Sequence, residues 1–448
     1  MTEAAVFAGA TPIAPDRPAP ISTRQVTAAV IGNALEFYDF TTYSYFAVQI
    51  GHNFFPGHSP FVSLMLSLGT FGAGFILRPI GAVVIGRYGD RRGRRPAMLF
   101  SFALMGAAIL GLALTPSYAQ IGPLAPFLVL TWRLCQGFAL GGEVGPTTAF
   151  LVEAAPPARR GLYGAWQGAS QNLASIAGGL VGVTLAAVAG AASLEVWGWR
   201  AAFLLGALVL PVGLIIRRSL PETLHRPEAP GAIHPPAATL RSHARVLALG
   251  LALIAAATIS TYVFSFMTTY AITTLRMPAG ISLGAAVANG AFGVLGGLAG
   301  GLLSDRYGRK ALMIWPRVAF LFVTWPAFYL MVRNHDAATL LTATAVLAGL
   351  SALTTAAVLV AITESLRKEI RGAGMGMVYA TAVAVFGGTT QPVVAWLIHA
   401  TGDPLSPAWY MMAATVVGLI ASVLMKETAH GRVPLVLRPD AAMSPPLA

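Results

Sequence analysis

The sequence predicts an all-α membrane protein, with twelve transmembrane helices in two pseudo-symmetric six-helix bundles, and three observations lead there. Of 448 residues, 56% are apolar and 10% are charged, too few charges to cover the surface of a soluble chain of this length. Twelve apolar runs are each long enough for a bilayer core of about 30 Å, which needs about 20 helical residues. A short segment, Gly86 to Arg95, returns as Gly301 to Lys310 with the shared spacing G-x-x-x-D-R-x-G-R-[RK], each copy between two apolar runs.

The first six runs cover residues 24–47, 61–85, 96–115, 121–152, 161–188 and 199–217, and the second six cover 246–274, 281–303, 311–332, 337–365, 372–400 and 407–426. The fourth, fifth, seventh, tenth and eleventh exceed the bilayer thickness and imply tilt or protruding ends. Between the sixth and seventh, Pro221, Pro227, Pro230, Pro235 and Pro236 interrupt any helical pattern in the longest polar interval inside the chain. The expected organisation is therefore a disordered tail at 1–23, an N-terminal bundle at 24–218, a cytoplasmic linker at 219–245, a C-terminal bundle at 246–430 and a second tail at 431–448. The Ala- and Pro-rich start has neither the charge arrangement nor the cleavage pattern of a signal peptide.

The net charge of +12 reports topology. With the N-terminus cytoplasmic, the tails and even-numbered loops carry 23 of the 29 Lys and Arg; Arg200, Arg276 and Arg333 lie at the opposite face, and Arg78, Arg133 and Arg317 fall inside apolar runs. This is the positive-inside asymmetry of a bacterial inner-membrane protein with both termini cytoplasmic. The basic balance suggests contact with anionic lipid and no nucleic-acid partner. The lone Cys135 excludes an intramolecular disulfide and a cysteine-based metal site, and no metal site is expected.

A second repeat supports the two halves. Glu153 is followed by Arg160-Gly161 and Glu364 by Arg371-Gly372, offset by 211 residues against 215 for the first repeat. Asp90 and Asp305 end the second and eighth helices, where a carboxylate can face the N-terminal dipole of a neighbouring helix. The arginines that follow, Arg91, Arg94, Arg306 and Arg309, can reach Glu153 or Glu364. Such pairs would hold the cytoplasmic side closed and break when the halves rock. The alternative is that the arginines are topology signals only, which suits Arg87 and Arg92 best.

Charges at membrane depth cost about 2.5–3.5 kcal/mol even on the lenient insertion scale. Gly32, Glu36, Asp39 and Tyr43 follow helical spacing, putting two carboxylates and a phenol on one face that must look into the bundle. Arg133 in the fourth run lies at a depth similar to that of Asp39, so an Asp39–Arg133 pair is expected. A substrate carboxylate competing for Arg133 would release Asp39 to take a proton, a physical route to symport. A structural ion pair is the other reading. Glu143 and Arg78 lie off the centre and suit a structural or gating role, and Arg317 suits snorkelling to the cytoplasmic interface.

Polar stripes in the fifth run (Trp166, Gln167, Ser170, Gln171, Asn172) and the seventh (Ser260, Thr261, Tyr262, Ser265, Thr268, Thr269, Tyr270) can replace the water shell of a polar solute or hydrogen-bond between helices. The same alternatives hold for Gln391 and His399. No G-x-x-x-x-G-K-[ST] segment is present, which argues against ATP-driven transport, and Gly297, Gly300 and Gly301 suit close helix packing.

The repeated segment is similar to the signature loop of the major facilitator superfamily. The chain further resembles its metabolite:proton symporter family through Gly32-Asn33 with Glu36-Phe37-Tyr38-Asp39-Phe40, Phe54-Phe55-Pro56, Arg78-Pro79-Ile80-Gly81, Arg133 with Gln136-Gly137-Phe138, Gly141-Gly142-Glu143 and Trp197-Gly198-Trp199-Arg200. Within that family it looks most like the citrate and tricarballylate symporters, through Arg217-Arg218-Ser219-Leu220 with Glu222-Thr223, Phe386-Gly387-Gly388, Thr401-Gly402-Asp403 and the hydroxyl-rich seventh run. Phe37 and Pro221 depart from the pattern of those carriers.

The resemblance implies a proton-coupled importer of an organic acid, a di- or tricarboxylate such as citrate, working by alternating access. Proline, betaine or shikimate uptake is the alternative, followed by a non-transporting nutrient sensor. No enzymatic activity is expected, nor any cofactor beyond the proton gradient, and the chain should act as a monomer. Proton coupling is assigned to Asp39, Glu36 and Arg133. Substrate contacts are assigned to Arg133, Tyr38, Tyr43, Gln136, Gln167, Gln171, Tyr262, Ser265 and Gln391. Gating falls to Asp90, Arg91, Arg94, Glu153, Arg160, Asp305, Arg306, Arg309, Glu364 and Arg371.

Overall fold

The computed structural model describes residues 23–57, 59–92, 94–141, 155–156, 159–207, 243–366 and 368–429, and these residues form helices and short connections without a strand. The first run is α1 (Thr23–Tyr45) continued by α2 (Ala47–Phe54). The second is α3 (Pro60–Ile76) and α4 (Arg78–Arg92), and Ser59 caps its start by accepting from the Val62 backbone N–H. After α5 (Arg94–Leu114), the short α6 (Tyr118–Ile121) is closed by a reciprocal Ser117–Gln120 capping box and leads into α7 (Leu124–Leu140). Next, α8 (Arg160–Ser193) breaks at Gly190, where φ is +77°, and passes through a π turn at Leu194–Gly198 into a helix reaching residue 207.

The second half is α9 (Ala244–Thr273), α10 (Ala279–Tyr307), α11 (Arg309–Asn334), α12 (Ala337–Ser365), α13 (Lys368–Ala382), α14 (Gly388–Thr401) and α15 (Ser406–Leu424). A π turn at Val383–Gly387 joins α13 to α14 as one span. Among the described residues, eight helices are long and apolar enough to cross a membrane, and Leu99–Leu114 and Leu124–Leu140 are shorter apolar helices. The expected tails and most of the expected linker lie outside the described residues, as do Glu143, Glu153 and the later part of the fourth run.

The eighth span ends close to Asp305, as the sequence suggests: α10 runs through Asp305 to Tyr307, and the turn is Gly308 alone, at φ +97°. Only a residue without Cβ enters that region cheaply, so one glycine ends one span and begins the next.

Contact between the halves runs along α8 with α10, α3 with α14, and α1 with α9. Lipid tails give apolar helix faces no reason to associate, so close approach depends on small residues. A Cβ on Gly72 would sit 2.4 Å from the Gly388 carbonyl oxygen, and one on Gly290 2.6 Å from that of Asn172. Within the first half, a Cβ on Gly137 would lie 1.6 Å from the Gly74 oxygen, and one on Gly141 2.0 Å from the Arg78 oxygen. The second span and α7 therefore touch backbone to backbone, and each carries one of the buried arginines.

Candidate functional site

A central cavity of about 130 Å³ lies between the halves, lined by residues of α1, α8, α9, α10, α12, α13 and the π turn at Val383. A water needs roughly 10–15 Å³ on the same measure, so the space accommodates a small polyfunctional solute. Its polar lining is neutral: Gln167, Gln171 and Asn172 from α8, Thr258, Thr261, Tyr262 and Ser265 from α9, Asn289 from α10, Ser351 and Thr355 from α12, and Tyr379 from α13. Gln167 is buried with neither amide atom partnered, whereas buried amides are ordinarily satisfied. It is therefore free to grip a solute in the cavity.

The sequence-assigned substrate residues divide here. Gln167, Gln171, Tyr262 and Ser265 line the cavity; Arg133, Tyr38, Tyr43, Gln136 and Gln391 are not in its lining. Tyr38 turns outward and donates to the Ala202 carbonyl at 2.9 Å, and Tyr43 donates to that of Ser67 at 3.3 Å. Gln391 donates to the Ser44 hydroxyl at 2.6 Å, tying the two halves together beside the cavity.

Arg133 is fully buried, and its Nη1 donates to Gln136 Oε1 at 2.5 Å. Its guanidinium carbon lies 4.4 Å from the Tyr43 ring centroid and 5.0 and 5.1 Å from those of Phe40 and Phe71. Asp39 is 2% exposed, and both its carboxylate oxygens lack hydrogen-bond partners. The expected Asp39–Arg133 ion pair is thus not closed: the guanidinium is sandwiched by aromatic faces, which hold a cation without a carboxylate. The Glu36 side chain lies outside the described residues.

At the end carrying the basic residues, Asp305 Oδ1 accepts from the Gly161 backbone N–H at 2.8 Å and Oδ2 from that of Leu162 at 3.0 Å. A carboxylate from the second half thus sits on the positive end of α8 in the first. Arg309 bridges Asp305 at 2.7 Å and Glu364 at 3.5 Å, and Glu364 also faces Arg160 at 3.6 Å. Gly161 is required at this junction, since a Cβ there would lie 2.4 Å from the Gly301 oxygen. Arg306 is exposed and lies over the Tyr307 ring, Arg91 is exposed, and Arg371 donates to the Leu366 carbonyl. The side chains of Asp90 and Arg94 lie outside the described residues.

Sequence reasoning missed Glu427 and Thr428. Glu427 accepts from the backbone N–H groups of Arg309 and Lys310 at 2.9 and 3.0 Å, and the Thr428 hydroxyl donates to Glu364 at 2.9 Å. A signal was available, because Glu222-Thr223 and Glu427-Thr428 repeat at an offset close to those of the other two repeats. Two further expectations are corrected. Arg317 does not snorkel: it is buried and donates to the Met313 carbonyl and the Ser422 hydroxyl. Gly297 lines the cavity with open space where its Cβ would be, whereas Gly300 and Gly301 make close backbone contacts. The hydrolase-like spacing G-x-S-x-G occurs once, at Gly280–Gly284, but Ser282 is buried in the first turn of α10 and donates to the Pro278 carbonyl.

Two helical halves around a neutral polar cavity, with an ion-pair network joining them at one end, give the chain the architecture of a membrane transporter. The chain belongs to the Major Facilitator Superfamily, whose family model matches residues 29–332, a family of transporters and not of enzymes. It is 35% identical over 401 residues to the citrate-proton symporter of Salmonella typhi, covering 88% of this chain and 92% of that one. It is 31% identical over 435 residues to the glycine betaine/proline/ectoine/pipecolic acid transporter of Dickeya dadantii, covering 91% and 84%. The fold is that of a crystal structure of a D-xylose-proton symporter, with a TM-score of 0.71, 17% identity and coverage of 91% and 97%.

Proposed function

We propose that this transporter is a proton-coupled importer of a small organic acid, a di- or tricarboxylate such as citrate. The observation that carries the reading is the pair Arg133 and Asp39, buried close to the cavity without pairing to each other. A buried guanidinium lacking a carboxylate favours a substrate that brings one, and a buried carboxyl lacking donors favours its protonated form. Arrival of the substrate anion and of the proton then each offset a cost of the empty site. Similarity to citrate-proton symporters over most of the chain supports the same cargo class.

In this reading Gln167, Gln171, Tyr262 and Ser265 position the substrate and Asp39 takes the proton. The Asp305–Arg309–Glu364–Arg160 network closes the cytoplasmic end. The protein sits in the bacterial inner membrane as a monomer with both termini cytoplasmic, its halves bounded near 24–218 and 246–430, and it draws on the proton gradient without a cofactor. A betaine or proline carrier is the second reading, favoured by the neutral lining of the cavity and the likeness to the Dickeya dadantii transporter. Uptake of labelled citrate and labelled betaine into proteoliposomes with an imposed pH gradient separates the two. Citrate accumulation abolished by a protonophore is expected; citrate uptake that ignores the protonophore removes the coupling, and betaine uptake in its place removes the cargo.

A further inference from the structure

Phe40 touches both the cavity and two buried arginines. It lines the neutral cavity, and the guanidinium carbons of Arg78 and Arg133 lie 4.6 and 5.0 Å from its ring centroid, which puts them within about 10 Å of each other. The glycine contacts between the second span and α7 hold the two arginines there. A Cβ on Gly141 would strike the Arg78 carbonyl oxygen, one on Gly81 would lie 1.9 Å from the Phe138 oxygen, and one on Gly74 would lie 3.1 Å from the Arg133 oxygen. Arg78 also lies within interaction range of Tyr262 and Tyr379, which themselves line the cavity.

Burying two cations within about 10 Å of each other loses solvation twice and adds repulsion, so the arrangement calls for an anion. Each arginine leaves the same two atoms unsatisfied, Nε and Nη2. Those two N–H groups form the side-on edge of a guanidinium, the fork that holds a carboxylate by two parallel hydrogen bonds. Arg78 is 7% exposed and Arg133 0%, so water does not serve these edges. Two unused forks at this separation match two carboxylates joined by a short carbon chain better than they match one.

We propose that Arg78 and Arg133 form a two-guanidinium site for a substrate bearing two or more carboxylates, closed off from the cavity by the Phe40 ring, which turns aside to admit it. This rests on the organic-acid reading and adds to it a second cationic residue and an aromatic shutter. Arg78 supplies the preference for di- and tricarboxylates over monocarboxylates, and Phe40 sets how fast the anion reaches the forks.

The test is calorimetric titration of the purified full chain with citrate, succinate and acetate. Arg78→Gln is expected to weaken citrate and succinate at least tenfold and acetate less than twofold, with Arg78→Lys recovering part of the loss. Phe40→Leu, which keeps both arginines and an apolar side chain, is expected to speed citrate association at least threefold in stopped-flow fluorescence. Citrate affinity unchanged in Arg78→Gln, or weakened equally for all three acids, overturns the proposal. If Arg78→Gln fails to fold, an unchanged citrate association rate in Phe40→Leu overturns it instead. A wild-type protein that neither binds nor imports any of the three acids overturns the organic-acid reading itself, whereas citrate import with no effect of either variant removes only the two-arginine site.

Discussion

Asp39 lies on α1 with no donor for either oxygen, so its charged form is the costly one in this state. Asparagine has nearly the same shape and no charge. Asp39→Asn should therefore leave thermal stability unchanged or raise it by a few degrees, on the order of 1 kcal/mol. Accumulation driven by a pH gradient should fall at least tenfold while substrate exchange without a gradient persists; full accumulation by the variant would take the proton role from Asp39. Just past the first span, on α2, His52 Nδ1 meets Glu195 at 3.2 Å. The hydrogen bond to Glu195 holds the imidazole above its ordinary value, outweighing partial burial. A raised histidine contributes stability that is fully present below its unfolded value of about 6.5 and is lost as pH rises through the folded one. Both side chains are more than a third exposed, so the effect is under about 1 kcal/mol. Melting temperatures of wild type and His52→Ala across that range should converge at high pH and separate at low pH.

The turn between α10 and α11 is a single glycine, and what holds it is remote in sequence: Glu427, just beyond α15, caps the first two N–H groups of α11. Burial pushes the Glu427 carboxyl up, but backbone donors from Ala429, Lys310, Arg309 and Thr428 outweigh it and hold the group below the usual range. Glu427→Ala should cost about 1 kcal/mol, the ordinary worth of a cap. Because the carboxyl is depressed, its contribution is present above the unfolded value of about 4.3 and lost as pH falls through the folded one. Thermal melts of wild type and variant at neutral and acid pH should therefore differ at the first and coincide at the second. The spans themselves were legible from apolar length, since lipid forces every backbone group into a helix. The end of α10 falls two residues past Asp305, where the sequence placed it, because one glycine's dihedral freedom makes the turn. Asp39, Arg133 and the α8 and α9 polar stripes were legible as charge and polarity at membrane depth. That Arg78 and Arg133 both lie against the Phe40 ring depends on rotamers and glycine contacts that no periodicity encodes.

At the scale of the whole molecule, the halves meet at both ends of the cavity. At the end away from the basic residues, Ser44 donates to the Ser265 carbonyl, Gln391 donates to Ser44, and Phe61 stacks on His399 at 3.7 Å between ring centroids. At the end bearing the basic residues, Asp305 and Glu364 hold α8, α10, α11 and α12 together. Among the described residues, the two sets of contacts differ in chemistry: neutral hydrogen bonds and ring stacking at one end, charge-assisted bonds at the other. Hydrogen bonds to a charged group contribute about 1.5–3 kcal/mol each, and Asp305 supplies two of them across the halves. Asp305→Asn keeps the shape but leaves one oxygen and no charge, so at least about 1.4 kcal/mol should go, a tenfold shift toward the state open at that end. Spin labels at Arg159→Cys and Tyr307→Cys, both exposed positions flanking the junction, placed in a Cys135→Ser background, report the separation directly. The expected result is a longer distance population in Asp305→Asn that is minor without the substitution, and no change at a matching pair at the opposite end. An unchanged distribution would show that the network is not what keeps this end closed, and the α8–α10 backbone contact at Gly161 and Gly301 would then be the element to vary.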